Sequence, residues 1–399
     1  MDSCSLNQFG NRPMKLLPWE YGIRNLLRRP TRSALTLLGL TTVVLLVLVV
    51  AGFLRGLERS LAVSGDPQTV IVFSLGMGEN LEYSSVPMRT SDLVAASIDG
   101  VQTHGDKRFV SPELYQGAQV RLTADGDGRM GLIRGVMPGA LLVHSQIEII
   151  NGDWPKPDEV LVGRLAATKL GVSLDELQPG RSLWFEGRQW TISGTFSSNG
   201  SVFESELWCR LDDLQQAMKR QDLSLVALTL SSRATFEDVD LFCKERLDLE
   251  LQAIRQTDYF ASLQKDYRPV RMLAWLVVGL IAAAGIFAGL NTMYGAVAGR
   301  VRELAALQTL GFSRRAIVIS LLQEGSLLSV TAALLASVIA HVVVNGAAVR
   351  FTMGAFELRI DSAALLIGYV TALALGVLGS LPPALRIMRL NVVDGLKAL

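Results

Sequence analysis

Four long stretches of this chain contain no Asp, Lys or Arg, and only one of them contains a Glu: Ser33–Leu54, Met272–Gly299, Ala316–Val349 (interrupted by Glu324) and Ser362–Leu385. Crossing a bilayer takes roughly 20 apolar residues, and backbone groups facing lipid must be satisfied within the segment, so each stretch reads as a membrane-spanning helix. Half of the 399 residues are hydrophobic and the mean hydropathy is +0.34, above what soluble domains carry. The expected fold is therefore an integral membrane α-helical protein with four transmembrane helices. A large α+β extracytoplasmic domain is inserted between helices 1 and 2.

Basic residues set the orientation. Arg12, Lys15, Arg24, Arg28, Arg29 and Arg32 precede the first span; Arg300, Arg302, Arg314 and Arg315 separate the second from the third; Arg386, Arg389 and Lys397 follow the fourth. In contrast, Arg55–Arg271 holds 30 acidic and 23 basic residues. Both termini and the Arg300–Arg315 loop are expected in the cytoplasm, and the long insert outside it. The first span is too long for a signal peptide, starts late and has no clean cleavage site, so it reads as an uncleaved anchor. Cys4 has no apolar segment before it and is no lipidation signal. For Cys209 and Cys243 in the insert, a disulfide and two free, partly buried thiols are both open.

Before the first span, Trp19, Ile23, Leu26 and Leu27 recur at helical spacing with arginines on other faces, the pattern of an interfacial amphipathic helix broken by Pro30. The insert alternates strand-like and helix-like runs. "TVIVFSL" and "LVALTLS" read as strands, and "TSDLVAASI" as a helix opened by a capping Ser or Thr. "VRLTADGDGRMGLIRGV" reads as a hairpin about an Asp-Gly turn, and "SLWFEGRQWTISGTF" as a second, turning at Glu186-Gly187. "DEVLVGRLAATKLGV" reads as a strand and a short helix closed by Gly171, "LDDLQQAM" as a helix, and "TFEDVDLFCKERLDL" as an acid-capped helix. Two subdomains are expected.

Little in the chain points to catalysis. There is no Gly-x-x-x-x-Gly-Lys-Ser/Thr loop, so nucleotide hydrolysis by that route is excluded. "GMGENL" lacks the third glycine of a dinucleotide fingerprint, and "DGDG" (Asp125–Gly128) is followed by Arg129 and Val136 where calcium ligands are needed; both read as turns. His104, His144 and His341 are scattered, and Asn199-Gly200-Ser201 is a sequon of the length that arises by chance. The arginine clusters lack interleaved aromatics and fit membrane topology rather than nucleic acid. No enzyme is expected, and no cofactor bound by this chain.

Three features of the spans stand out. Gly285–Gly289 and Gly295–Gly299 are Gly-x-x-x-Gly pairs, which permit close helix approach either within the chain or in a dimer. Glu324 is the one acidic residue in a span, a functional position by default unless it pairs with an interfacial arginine. In "RVRELAALQTLGFSRRAI", Leu304, Leu307 and Leu310 form a stripe, Gly311 suits a helix C′ position with Phe312 folding back on Leu307, and Ser313 can cap the next helix. This predicts a short helix continuous with the second span, its leucines either buried against the lipid headgroups or received by a partner groove.

These segments carry a family resemblance. "RNLLRRPTRSALTLLGL" and "RVRELAALQTLGFSRRAIVISLLQEGSLLS" resemble the N-terminal motif and the cytoplasmic loop of the MacB/FtsX-like (type VII, mechanotransmission) permeases of ABC transporters. "GSLPPALRIMRLNVVDGLKAL" is similar to their C-terminal tail, with Asn391-Val392 in place of the usual Pro, and "DEVLVGRLAATKLGVSLDELQPGRSLWFEGRQWTISGTFSSNGSVFESELW" to their external core domain. The resemblance implies a permease pairing with a second copy or paralogue above cytoplasmic ABC ATPase subunits. ATP would act through those partners, at a coupling element around Arg302, Glu303, Leu304, Leu307 and Gly311.

The expected organisation follows. Residues 1–32 are a cytoplasmic N-terminus with an interfacial helix, 33–54 helix 1, 55–271 the extracytoplasmic domain, 272–299 helix 2, 300–315 the coupling loop, and 316–345 helix 3. Residues 346–361 form a short outer loop, 362–383 helix 4 and 384–399 a cytoplasmic tail. The expected site is the bacterial inner membrane, with membrane lipid and a periplasmic adaptor or substrate as further contacts, and no nucleic acid. Two functions are compatible: an ATP-driven exporter or extractor acting at the outer face, or an FtsX-like regulator that activates an extracytoplasmic enzyme such as a cell-wall hydrolase.

Overall fold

The computed structural model describes residues 19–78, 80–351 and 354–388. Arg12, Lys15, Arg389, Lys397 and the Asn391-Val392 departure lie outside the described residues. Pro30 separates α1 (Trp19–Arg28) from α2 (Pro30–Ser64), because proline has no N–H to donate but fits a first helical position.

Beyond α2, apart from two-residue strands, 3-10 turns and a four-residue helical turn at Ala140–Val143, the chain builds in order β1 (Thr69–Ser74), α3 (Thr90–Ser97), β2 (Val110–Val120), β3 (Arg129–Val136), β4 (Glu148–Gly152), β5 (Glu159–Gly163), α4 (Ala166–Leu170), β6 (Ser182–Phe185), β7 (Arg188–Ser197), β8 (Glu206–Arg210), α5 (Leu211–Met218), β9 (Leu225–Thr229), α6 (Phe236–Glu245), β10 (Leu251–Arg255) and α7 (Gln256–Asp266). Both hairpins form where expected. The β6–β7 turn holds Glu186 and Gly187 at φ +49° and +71°, the left-handed pair a tight hairpin demands. Gly171 closes α4 in the left-handed region, and Thr235 and Asp238 form a capping box on α6. The cap of α3 differs: Arg89, not a Ser or Thr, holds the N-cap position and makes no side-chain cap bond.

Two subdomains do not appear. One mixed sheet runs β10-β1-β9-β2-β3-β8-β5-β7-β4, with β6 on β7. Strand β2 joins its halves, pairing β9 through Val110–Glu113 and β3 from Leu114 onward. Two cores lie on the two faces of this sheet. Val70, Val72, Ile133, Val160 and Leu207 point into one core, roofed by α3 to α6. Their neighbours Ile71, Phe73, Leu132, Leu161 and Trp208 point into the other, with Leu57 and Leu61 of α2 and Tyr259 and Phe260 of α7.

The remaining elements are α8 (Arg268–Ala298), α9 (Val301–Thr309), α10 (Arg314–Ile339, extended by a π-turn to Val344), β11 (Ala348–Phe351), β12 (Gly354–Glu357) and α11 (Ser362–Met388). Among the described residues four helices, α2, α8, α10 and α11, are long and apolar enough to cross a membrane. By contacts the chain forms two units: the described residues up to Gly52 with Met272–Asn345 and those from Ile360 on, and Phe53–Arg271 with Gly346–Arg359. The expected outer loop is thus a hairpin built into the sheet-containing unit. Phe351 and Phe356 pack edge-on against Phe53, at ring separations of 5.8 and 5.2 Å, and Arg164 binds Glu357 at 2.7 Å. Val349 and Phe351 in "AVRF" and Phe356 in "GAFE" support a strand pair where a loop was expected.

Candidate coupling site

The segment 299–313 is held at both ends by its own sequence. At the C-terminal end Gly311 takes φ +90°, Gly311 N donates to Gln308 O (3.1 Å) and Phe312 N to Leu307 O (3.2 Å), a complete Schellman motif. The Ser313 hydroxyl then accepts from Ala316 N at 3.2 Å and caps α10. At the other end the expectation of one rigid helix fails: α8 stops at Ala298, and Gly299–Arg300 form a break before α9 begins.

The reason is Arg300. Its side chain turns inward, and its guanidinium donates to Glu324 on α10 at 3.1, 3.2 and 3.3 Å, while Nε reaches Ala296 O. Asn25 Nδ2 of α1 donates to the same carboxylate at 2.7 Å. Both charged partners are almost wholly buried. Glu324 is therefore a paired group, held by Arg300 and Asn25. Removing either partner would leave an uncompensated buried charge, a loss of about 3–5 kcal/mol.

The leucine stripe needs correcting. Leu304 is 3% exposed and Leu307 half-buried, packed with Val297, Ile317, Leu321 and Ala384 and against Tyr21 and Phe312, whereas Leu310 is 73% exposed. A nine-residue helix cannot stand alone, so its apolar side is held by its own chain rather than kept for a partner. Arg302, Glu303, Leu310 and Gly311 face outward. Burial raises the Tyr21 hydroxyl pKa, and the Arg300 charge opposes that rise.

The glycine pairs pack within the chain. A Cβ on Gly285 would meet Leu375 Cδ2 at 2.9 Å and Val43 at 3.0 Å, one on Gly289 would lie 3.7 Å from Gly379 Cα, and Gly295 and Gly299 border the Arg32 and Arg29 guanidinia. A closer contact escaped notice although its signal is the same small-x-x-x-small spacing: Gly325 and Ser329 of α10 against Gly376 and Ser380 of α11, where a Cβ on Gly325 would lie 2.9 Å from Gly376 O.

Sequence reasoning also passed over a buried ionic network on the sheet. Arg134 of β3 donates to both oxygens of Glu206 at 2.7 Å and to Glu113 at 2.6 Å; Trp208 also donates to Glu206, and His144 lies 2.7 Å from Glu113. Burial alone would raise the Glu113 pKa, but His144 and Arg134 override it and bring it down to about 2. The signal available was a single charge inside an otherwise apolar run, as Arg134 in "LIRGV". Cys209 and Cys243 are both free and buried, and burial pushes the Cys243 thiol up to about 12.

Comparison with known proteins places the chain. A family model for the MacB-like periplasmic core domain matches residues 33–240, and one for the FtsX-like permease C-terminal region matches residues 275–392. An uncharacterized ABC transporter permease of Bacillus subtilis, YknZ, is 22% identical over 94% of this chain and 97% of its own length. Among solved structures, the periplasmic region of MacB from Actinobacillus actinomycetemcomitans covers 50% of this chain and 94% of that structure at 10% identity and TM-score 0.39. The extracellular domain of the transporter YknZ from Gram-positive bacteria covers 47% of this chain and 99% of that structure at 15% identity and TM-score 0.35. The chain is a membrane protein of the MacB/FtsX-like family of ABC transporter permeases.

Proposed function

We propose that this permease couples ATP hydrolysis by a cytoplasmic ABC ATPase to motion of its sheet-containing domain, for export or extraction of a substrate at the outer face of a bacterial inner membrane. The observation that carries the reading is α9: a short helix capped at its C-terminal end, pinned at its start by a buried Arg300–Glu324 pair, with Arg302, Glu303 and Leu310 turned outward. A partner pressing on such an element moves α10 with it, because the ion pair and the Leu304 contact resist independent motion. The excess of basic residues at both ends of the chain and in this segment supports a cytoplasmic location for all three. No cofactor is held by the permease in this scheme; ATP works through the partner, and a second permease copy completes the complex.

The test separates the outward face from the packed one. Leu310→Asp with Arg302→Glu should leave the permease folded yet remove ATPase co-purification and stimulated hydrolysis. Leu304→Asp should instead lower the thermal midpoint of the permease itself. Undiminished ATPase capture by the outward double variant would sink this assignment of the contact.

A further inference from the structure

The described basic residues beside this site are not all used by it. Asn25, Arg29, Arg32, Arg300, Glu324 and Ser380 share one cleft where α1, α2, α8, α10 and α11 meet, and its charged lining leaves a net of two positive charges. Glu324 is hydrogen-bonded by Arg300 and Asn25, and its ion pair is with Arg300 rather than with Arg29 or Arg32. Arg32 spends one donor on the backbone oxygen of Thr292, which leaves most of its five, and the Arg29 guanidinium borders Gly299.

From this cleft an apolar groove of about 470 Å³ runs between α2 and α8, and the two share Thr36, Leu40, Gly289 and Thr292. Its walls run from Leu35 to Leu46 on α2 and from Thr292 to Ile281 on α8, twelve residues each. That is about 16 Å of helix, half of a hydrocarbon core of roughly 30 Å. The groove is thus one leaflet deep, with the guanidinium pair at its mouth. Gly39 lies in its floor, where an added Cβ would meet nothing within 4 Å.

We propose that this groove and its arginine mouth form a binding site for one anionic phospholipid, its phosphate on Arg29 and Arg32 and an acyl chain lying along α2 and α8. A second copy of the chain would fill the apolar part but would leave the two guanidinium charges without a counter-ion at the membrane surface. A lipid phosphate supplies both needs. The site is independent of ATPase docking on α9.

Native mass spectrometry of the full-length chain tests this, in micelles supplemented with phosphatidylglycerol or with phosphatidylcholine of the same acyl chains. Wild type should retain one phosphatidylglycerol per chain in preference to phosphatidylcholine. Each arginine removed should cost roughly fivefold in that preference. Gly39→Leu, which fills the groove, should weaken both lipids, while Arg315→Ala should change neither. Because Arg32 also holds Thr292, Arg29→Ala alone decides if Arg32→Ala fails to fold. Three results would overturn the site: unchanged phosphatidylglycerol retention in Arg29→Ala, displacement of the lipid by millimolar inorganic phosphate, or a lipid-free dimer that Gly39→Leu dissociates.

Discussion

Glu113 shows how a single buried carboxylate writes itself into pH behaviour. In the folded chain its pKa is about 2 against an ordinary 4.5, because the His144 and Arg134 charges outweigh burial. A depressed carboxylate contributes stability that is present above 4.5 and lost as pH falls toward 2, here on the order of 3 kcal/mol. The thermal midpoint of the sheet-containing unit, followed by tryptophan fluorescence in detergent, should therefore fall more steeply between those values in wild type than in Glu113→Gln. Parallel profiles would show that the network carries no such linkage. The same ledger of burial explains the Arg300–Glu324 pair: each charge is tolerable only because the other is within 3.1 Å.

At the scale of elements, chain reversals rest on a few left-handed residues. Gly311, at φ +90°, lets α9 end and α10 begin within four residues. An Ala there is strained by about 1–2 kcal/mol, so Gly311→Ala should lower the thermal midpoint and loosen α9. Gly279, inside α8 with open space around its Cα, is the control, and Gly279→Ala should be neutral or mildly stabilising. Equal responses from the two glycines would remove the Schellman turn as the reason α9 is fixed. The α10–α11 crossing belongs to this scale too, since Gly325 and Gly376 let the backbones touch where larger residues could not fit.

For the whole molecule, the hairpin β11–β12 is the informative piece. It lies late in the chain, yet Phe356 is 3% exposed in the core with Phe53, Leu57 and Tyr259. A true connecting loop would tolerate Phe356→Ala within about 0.5 kcal/mol. As a core residue it should cost roughly 3–5 kcal/mol, read as early unfolding by tryptophan fluorescence of the full chain. A melt unchanged from wild type would return residues 346–359 to the status of a linker.

Much of this was legible in the sequence, and for definite reasons. Long uncharged runs, β-branched alternation in "TVIVFSL", Asp-Gly and Glu-Gly turns, and the Gly311–Phe312–Ser313 reversal are all local: the determining residues lie within a few positions of one another. That sufficed for the long apolar helices, both hairpins and the existence of α9. What lay beyond it were choices between partners distant in the chain. Whether Leu304 faces an ATPase or Ile317, whether Glu324 is alone or held by Arg300 and Asn25, and whether Gly285 meets another chain or Leu375 depends on which helices pack together. Periodicity tells which residues share a face, but only the assembled tertiary structure decides what that face is pressed against.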